Sequence, residues 1–138
     1  MKKIKVFTNG CFDLFHLGHL QLLNYAKSLG GELHIGINSD SSIKKIKGKD
    51  RPILNQKMRK KFIEELNIAK KVYVFNEITP LKIIKKIKPT IIVKGNDYKK
   101  SEVVGYKDIL KWNGIVKIFK KKNKLSSSDI LRKSKNAK

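Results

Sequence analysis

Short apolar segments alternate with helical segments along the chain, and this alternation limits the possible folds more than any other feature. Residues 4–8, 33–38, 71–75, 90–94 and 115–119 have the length of strands and are rich in valine, isoleucine and phenylalanine. Strands that are apolar throughout and separated by helices favour a parallel sheet covered on both faces. We therefore expect one α/β domain with three layers, α/β/α, around a five-stranded parallel sheet.

The helices and turns between these strands are predicted from apolar spacing and from capping residues. A turn is expected at Asn9-Gly10, and Gly30-Gly31 should end the first helix. The predicted helices span residues 17–29, a short segment capped by Asp40 or Ser41, residues 55–67, 79–87, 101–112 with Ser101 as cap, and about 127–132. In the third of these, Met58, Phe62, Ile63 and Leu66 form the predicted apolar side.

The sequence carries a formal net charge of +22, with 33 lysine and arginine residues against 11 acidic ones. Such an excess occurs in nucleic-acid-binding proteins. Nearly all of these cations are lysines spread along the chain, whereas specific readers of bases and phosphates favour the arginine fork. We interpret the excess as lysine enrichment of solvated faces, and nucleic-acid binding remains a distant alternative.

Residues 1–132 are predicted to form the single domain, and residues 133–138 a basic disordered tail. No run approaches the roughly 18 consecutive apolar residues that a membrane helix needs. Cys11 is the only cysteine, so neither an internal disulfide nor a cysteine metal cluster is expected. We expect a cytoplasmic protein without membrane association.

The segment after the first strand carries the residues best suited to chemistry. In open α/β sheets, ligands bind beyond the carboxyl ends of the strands. A helix that starts near Leu17 offers unpaired N–H groups to a phosphate, and backbone N–H groups of Cys11 and Phe12 can face the same anion. His16 and His19 are three apart, so both imidazoles can lie on one side of the first helical turn and donate hydrogen bonds to a phosphoryl group.

Two alternatives remain for this histidine pair. It can be an ordinary polar face of the helix, or it can hold zinc. The chain has one further histidine, His34, in a predicted strand, and no cysteine cluster to complete a metal site. We therefore predict no metal held by protein ligands.

Residues 8–19, Thr-Asn-Gly-Cys-Phe-Asp-Leu-Phe-His-Leu-Gly-His, resemble the signature of the cytidylyltransferase-like nucleotidyltransferases. Asn38-Ser39-Asp40 followed by Lys44, Lys47, Gly48, Arg51 and Pro52 is similar to the lysine loop of that family, and Arg59 matches an arginine on its next helix. Residues 77–80, 93–98 and 125–130 most resemble the adenylyltransferase domain of the bifunctional ADP-heptose synthesis enzyme, which acts on D-glycero-β-D-manno-heptose 1-phosphate. The glycerol-3-phosphate cytidylyltransferases are similar, but less so around residues 93–98.

The resemblance implies a Rossmann-like fold and an attack by an acceptor's phosphate on the α-phosphate of a nucleoside triphosphate, with release of pyrophosphate. It implies ATP, or alternatively CTP, with Mg²⁺ as the counterion of the triphosphate, a homodimer, and an acceptor that a separate sugar kinase supplies. The catalytic residues that it implies are His16, His19, Lys44 and Lys47. The implied nucleotide-binding residues are Thr8, Asn9, Gly10, Cys11, Phe12, His16, Gly18, His19, Lys47, Lys94, Gly95, Asp97, Tyr98, Leu125, Ser126, Ser127 and Ser128.

Asp13, Lys44 and Arg59 are the implied substrate-binding residues. Two of them have alternative roles: Asp13 can cap the first helix, and Arg59 can pair with a carboxylate in the core. The chain departs from the family pattern at two glycines, where it has Asn96 and Lys124.

Overall fold

The computed structural model describes residues 3–120. Its strands are β1 (Lys5–Gly10), β2 (Glu32–Asn38), β3 (Lys71–Phe75), β4 (Ile91–Gly95) and β5 (Ile115–Phe119). Its α-helices are α1 (Leu17–Ser28), α2 (Asp40–Lys47), α3 (Gln56–Glu65), α4 (Leu81–Ile87) and α5 (Tyr106–Lys111). The predicted nucleotide-binding residues Leu125 and Ser126 to Ser128, the last predicted helix and the predicted tail lie outside the described residues.

All five strands are parallel, in the order β3-β2-β1-β4-β5, which confirms the predicted sheet. The chain first builds outward from β1 to β3 and then returns to place β4 on the other side of β1. The order therefore reverses between β1 and β4, and the carboxyl ends of these strands splay apart there. Such a switch point is where open α/β sheets bind ligands.

Alternate residues of the strands enter two separate cores, one on each face of the sheet. Val6 of β1 packs with Leu23 of α1 and Ile63 of α3, whereas Phe7 packs with Ile84 of α4 and Ile109 of α5. Because neighbouring strand residues point to opposite faces, both faces need apolar residues and a covering of helices. This is the three-layer arrangement that the sequence predicts.

The first strand continues further than the sequence indicates. Asn9 and Gly10 pair with Gly36 and Ile37 of β2, so the predicted turn at Asn9-Gly10 is wrong. The chain turns instead at Phe12, which has a φ of 50°. Because Gly10 pairs with Ile37, the segment after Gly10 begins beside the end of β2.

The predicted helix over residues 101–112 is interrupted. A single 3-10 turn spans Lys100–Glu102, and α5 begins only after Gly105, whose φ of 91° belongs to the left-handed region. A Cβ atom on Gly105 would lie 3.1 Å from the side chain of Ile84, so glycine also permits close packing of this segment on α4. The cap of α2 differs as well, since it is Ser39 whose hydroxyl accepts a hydrogen bond from the N–H of Ser42.

Helix α3 turns a different side to the protein than its apolar pattern predicts. Arg59 and Ile63 are buried, whereas Met58 and Phe62 are 57% and 48% exposed. The predicted apolar side is therefore correct for Ile63 and Leu66 and wrong for Met58 and Phe62. The arginine occupies the position facing the protein because its polar atoms have partners there, described below.

Candidate active site

A cavity of about 360 Å³ opens at the carboxyl ends of β1, β2 and β4, at the switch point. Its lining residues are Asn9, Gly10, Cys11, Phe12, His19, Leu22, Asn38, Ile46, Lys47, Lys94, Gly95, Asp97 and Tyr98. A larger hollow of about 570 Å³ lies at the opposite end of the sheet and contains none of the predicted site residues. The structure thus places ten of the sixteen predicted site residues within 3–120, from four separate segments, around one cavity.

The two histidines form the start of α1. His16 is the cap residue, and its Nδ1 accepts a hydrogen bond of 3.1 Å from the N–H of Gly18. The Nδ1 of His19 in turn accepts a hydrogen bond of 3.3 Å from the N–H of His16. Because Nδ1 is an acceptor in both rings, this pattern assigns the proton of each neutral imidazole to Nε2. Each ring therefore carries one N–H donor of fixed identity at the helix N-terminus.

Aromatic contacts hold these rings in place. The imidazoles of His16 and His19 stack with their centroids 3.9 Å apart. Phe12 approaches His19 edge-on at 5.2 Å, and Phe15 lies 5.3 Å from it. Rings that are packed on several sides have few alternative rotamers, so the donor direction of His19 is set before any ligand arrives.

Lys94 brings a cation to the floor of the cavity between β1 and β4. Its Nζ donates to the backbone carbonyl oxygen of Asn9 at 3.2 Å and lies 5.0 Å from the ring centroid of Tyr98. These contacts keep the ammonium group at the switch point, where an anionic ligand would meet it.

The two predicted site lysines of α2, Lys44 and Lys47, have different surroundings. Lys47 lines the cavity, whereas Lys44 is exposed and donates to the carbonyl oxygen of Arg51 at 3.1 Å. Helix α2 is held against the sheet by Asn38, whose amide donates to the hydroxyl of Ser42 at 3.0 Å. The thiol of Cys11 also approaches the side-chain oxygen of Asn38 at 3.7 Å.

Asn38, Leu22 and Ile46 line the cavity but were not predicted as site residues. Asn38 ends β2 at the same sheet edge as the histidine segment, so the rule that placed that segment also indicates Asn38. Leu22 and Ile46 carry no such signal, because their apolar side chains resemble ordinary core positions.

Asp13 is buried and does not cap α1, whose cap residue is His16. Its carboxylate is buried and accepts hydrogen bonds of 2.9 Å from the N–H groups of Ile53 and Leu54. Nε of Arg51 donates to the same carboxylate at 2.7 Å. Burial raises the pKa of Asp13, but these hydrogen bonds outweigh it and hold the pKa below its ordinary value of 3.8. Asp13 therefore fixes the loop between α2 and α3, and its predicted contact with substrate stays a prediction.

Arg59 likewise acts inside the protein. Its fully buried guanidinium donates to the carbonyl oxygens of Leu54, Cys11 and Asn38 at 2.9, 2.9 and 2.7 Å. Nη2 pairs with the carboxylate of Asp40 at 2.8 Å. Arg59 does not line the cavity, and its pair with Asp40 is the carboxylate contact that was one of its two predicted roles, whereas contact with a phosphate stays a prediction. Arg59 connects the ends of β1 and β2 with the start of α2.

Thr8 and Gly18 lie behind the cavity rather than on its surface. The hydroxyl of Thr8 is buried and donates to the carbonyl oxygen of Val93 at 2.8 Å, which joins β1 to β4. Gly18 is buried in the first turn of α1 and supplies the N–H that orients His16. Both therefore shape the site through the backbone.

Residues 3–120 contain no group of three or more histidine, cysteine, aspartate or glutamate side chains that could hold a metal ion. Asp97 is the one carboxylate in the cavity lining given above. Within the same range, no helix is long and apolar enough to cross a membrane.

The family model described as cytidylyltransferase-like matches residues 7–133. The sequence is 45% identical over 137 residues to the bifunctional protein HldE of Campylobacter concisus (strain 13826). The aligned residues cover 99% of this chain and 28% of that protein. The sequence is also 53% identical over 100 residues to the bifunctional protein HldE of a Nitratiruptor species, and this alignment covers 72% of this chain and 22% of that protein. The chain thus spans about a quarter of the length of these relatives.

A solved structure, that of the lipopolysaccharide core biosynthesis protein from Thermoplasma volcanium GSS1, is also similar. It has a TM-score of 0.71 and 31% sequence identity, and the match covers 88% of this chain and 98% of that one.

The parallel sheet, its cavity at the switch point and the histidine pair at a helix start define a nucleotide-handling α/β domain of Rossmann-like fold. The chain belongs to the cytidylyltransferase-like family and is a nucleotidyltransferase.

Proposed function

We propose that the protein transfers AMP from ATP to a sugar 1-phosphate similar to heptose 1-phosphate, with release of pyrophosphate and formation of an ADP-sugar. The observation that carries this proposal is the cavity lined by His19, Lys47 and Lys94, with His16 outside the lining and stacked on His19. The bifunctional relatives support the choice of adenylyl transfer and of a heptose phosphate. In this proposal the acceptor comes from a sugar kinase activity that lies outside residues 1–138.

The reaction needs positioning and charge stabilisation more than acid–base chemistry. A phosphate oxygen of the acceptor forms a bond to the α-phosphorus, and the bond from that phosphorus to the bridging oxygen of pyrophosphate breaks. The attacking phosphate is already ionised at neutral pH, so no residue has to remove a proton from it. Nε2–H groups of His16 and His19 donate to the negative charge that develops on the transferring phosphoryl oxygens.

The remaining cavity residues divide between phosphates and base. Lys47 and Lys94, which line the cavity, balance phosphate charge, and Lys44, which lies outside the lining, binds the acceptor. The apolar side chains of Leu22 and Ile46 and the ring of Tyr98 offer surface for a base. Mg²⁺ would accompany the triphosphate and neutralise its charge, held by phosphate oxygens and water, which agrees with a cavity lined by a single carboxylate.

Release of pyrophosphate by the purified chain, measured for each triphosphate with a panel of phosphorylated acceptors, tests the proposal. We expect activity with ATP and a heptose 1-phosphate and little with CTP and glycerol 3-phosphate. Activity with CTP alone would overturn adenylyl transfer. Salt-dependent binding of nucleic acid without pyrophosphate release from any pair would favour the nucleic-acid alternative.

His19→Ala provides the mechanistic arm of this experiment. Loss of one preorganised donor to the transition state should lower kcat by about 10²–10³-fold. His34→Gln is the matched control, since His34 lies on β2 away from the cavity lining and should leave kcat within about twofold. Equal kcat for His19→Ala and the control would refute the assigned role of His19.

A further inference from the structure

Asn38 lines the active-site cavity, yet its side chain has no role in the reaction proposed above. It ends β2 and is only 4% exposed, so its amide is almost entirely surrounded by protein. A buried amide needs defined partners, because each unsatisfied donor or acceptor costs free energy. The partners of Asn38 therefore show which of its polar atoms is left for a ligand.

The hydroxyl of Ser42 fixes the orientation of this amide. Ser42 is fully buried, and its Oγ donates to the backbone carbonyl oxygen of Glu77 at 2.7 Å. A hydroxyl has one proton, so with that proton on Glu77 the Oγ of Ser42 can only accept from Asn38. The atom of Asn38 that lies 3.0 Å from this Oγ is therefore the amide nitrogen. A rotation of the amide by half a turn would place two acceptors against each other, which excludes the opposite assignment.

The amide oxygen is consequently the atom of Asn38 that is directed toward the cavity lining. Oδ1 lies 3.7 Å from the thiol of Cys11, which lines the cavity, whereas Nδ2 is turned to Ser42, which does not. A thiol is a weak donor and a carbonyl oxygen has two lone pairs, so Oδ1 retains the capacity for a stronger donor. Ionised phosphate oxygens are acceptors and would be repelled there. The ligand group beside Asn38 must therefore be a hydrogen-bond donor.

The position of Asn38 within the cavity indicates which ligand supplies that donor. Lys94 and Tyr98 lie near the end of β4 and in the loop after it, whereas Asn38 ends β2, on the other side of β1. Helix α2 begins two residues after Asn38 and carries Lys44, which the proposed function assigns to the acceptor. A sugar phosphate beside α2 carries hydroxyl groups, and a hydroxyl is a donor of the kind that Oδ1 requires.

We propose that Asn38 is a specificity-determining residue whose Oδ1 accepts a hydrogen bond from a hydroxyl group of the phosphorylated acceptor. The contact selects phosphate esters of polyhydroxy compounds over esters without a hydroxyl, which leave Oδ1 to the thiol of Cys11 alone. This inference rests on the proposed function for the division of the cavity between nucleotide and acceptor. It does not depend on which nucleotide or which sugar phosphate reacts.

Isothermal titration calorimetry of the full chain tests the contact without turnover. The probes are heptose 1-phosphate, glycerol 3-phosphate and methyl phosphate, and the last of these has no hydroxyl on its carbon. Asn38→Leu should raise the Kd of whichever hydroxylated phosphate the wild type binds more tightly about tenfold, as expected for the loss of one hydrogen bond. The Kd values of methyl phosphate and of ATP should stay within about twofold. Because either hydroxylated probe can give this result, failure of adenylyl transfer to a heptose phosphate leaves the outcome for Asn38 readable.

Asn76→Leu is the matched control, since Asn76 follows β3, is exposed and does not line the cavity. All Kd values should be unchanged in this variant. If circular dichroism shows that Asn38→Leu does not fold, Asn38→Ala gives the same comparison and leaves room for water beside Ser42. Wild type that binds neither hydroxylated phosphate, equal weakening of all probes, weakening of ATP alone, or unchanged binding of both hydroxylated phosphates would overturn the proposal.

Discussion

Replacing Arg59 by methionine tests whether this residue organises the active site from within or contacts substrate. Methionine keeps most of the unbranched side-chain volume and removes every hydrogen-bond donor. In the structure, Arg59 connects carbonyl oxygens at the ends of β1 and β2 with the loop before α3 and with the carboxylate of Asp40. The substitution therefore disconnects segments that carry the cavity lining without altering the cavity surface itself.

The expected cost follows from the groups left without a partner. Three carbonyl oxygens lose a charge-assisted donor, and an unsatisfied buried acceptor costs about 1–3 kcal/mol. Asp40 adds little, because its side chain is 34% exposed and regains water. With partial relaxation, we expect the free energy of unfolding to fall by about 3–5 kcal/mol, a large share of the roughly 5–15 kcal/mol that holds a typical domain together.

Urea denaturation of Arg59→Met gives this loss directly, and steady-state kinetics with saturating substrates give its effect on turnover. Lys60→Met is the matched control on the same helix, where an exposed ion pair is lost and less than about 1 kcal/mol is expected. A loss below about 1 kcal/mol for Arg59→Met together with a large rise in KM for the acceptor would refute the structural role. It would instead support direct substrate contact by Arg59.

Three further substitutions test other parts of the structure. Lys94→Met should weaken ATP binding about tenfold or more in equilibrium titrations, with unchanged circular dichroism, because a cation leaves the cavity floor. Burial lowers the pKa of His34 below its ordinary value of 6.5. As pH falls below that value, the unfolded chain takes up a proton that the folded protein does not, so the wild type should lose stability. His34→Gln should lack this part of the pH dependence when urea midpoints are measured between about pH 7.5 and 5. Asp13 has a lowered pKa, so its stabilising effect is present above about pH 4 and disappears as pH falls through the folded-state pKa. The difference in unfolding free energy between wild type and Asp13→Asn should therefore shrink in acid. A constant difference would contradict the pairing of Asp13 with Arg51.

Regular elements were predictable wherever local pattern and tertiary surroundings agree. β3 and β5 have the predicted bounds because their apolar runs are bounded by polar residues or glycine. Gly105 broke the agreement, since its left-handed conformation depends on the packing of this segment against α4. Asn9-Gly10 has the composition of a turn, yet six paired positions with β2 keep it extended. Pairing with a distant strand outweighs local turn preference.

The sequence by itself determined the fold class, the position of the ligand cavity and the histidine pair, because apolar periodicity and the strand-to-helix segment encode these locally. Only the tertiary structure decided what Asp13 and Arg59 contact and that Met58 and Phe62 are exposed. A buried arginine and an exposed phenylalanine reverse the usual preference, and their surroundings come from segments far apart in the chain. Whether a charged group meets substrate or carbonyl oxygens depends on which strand ends converge, and no spacing along one segment contains that information.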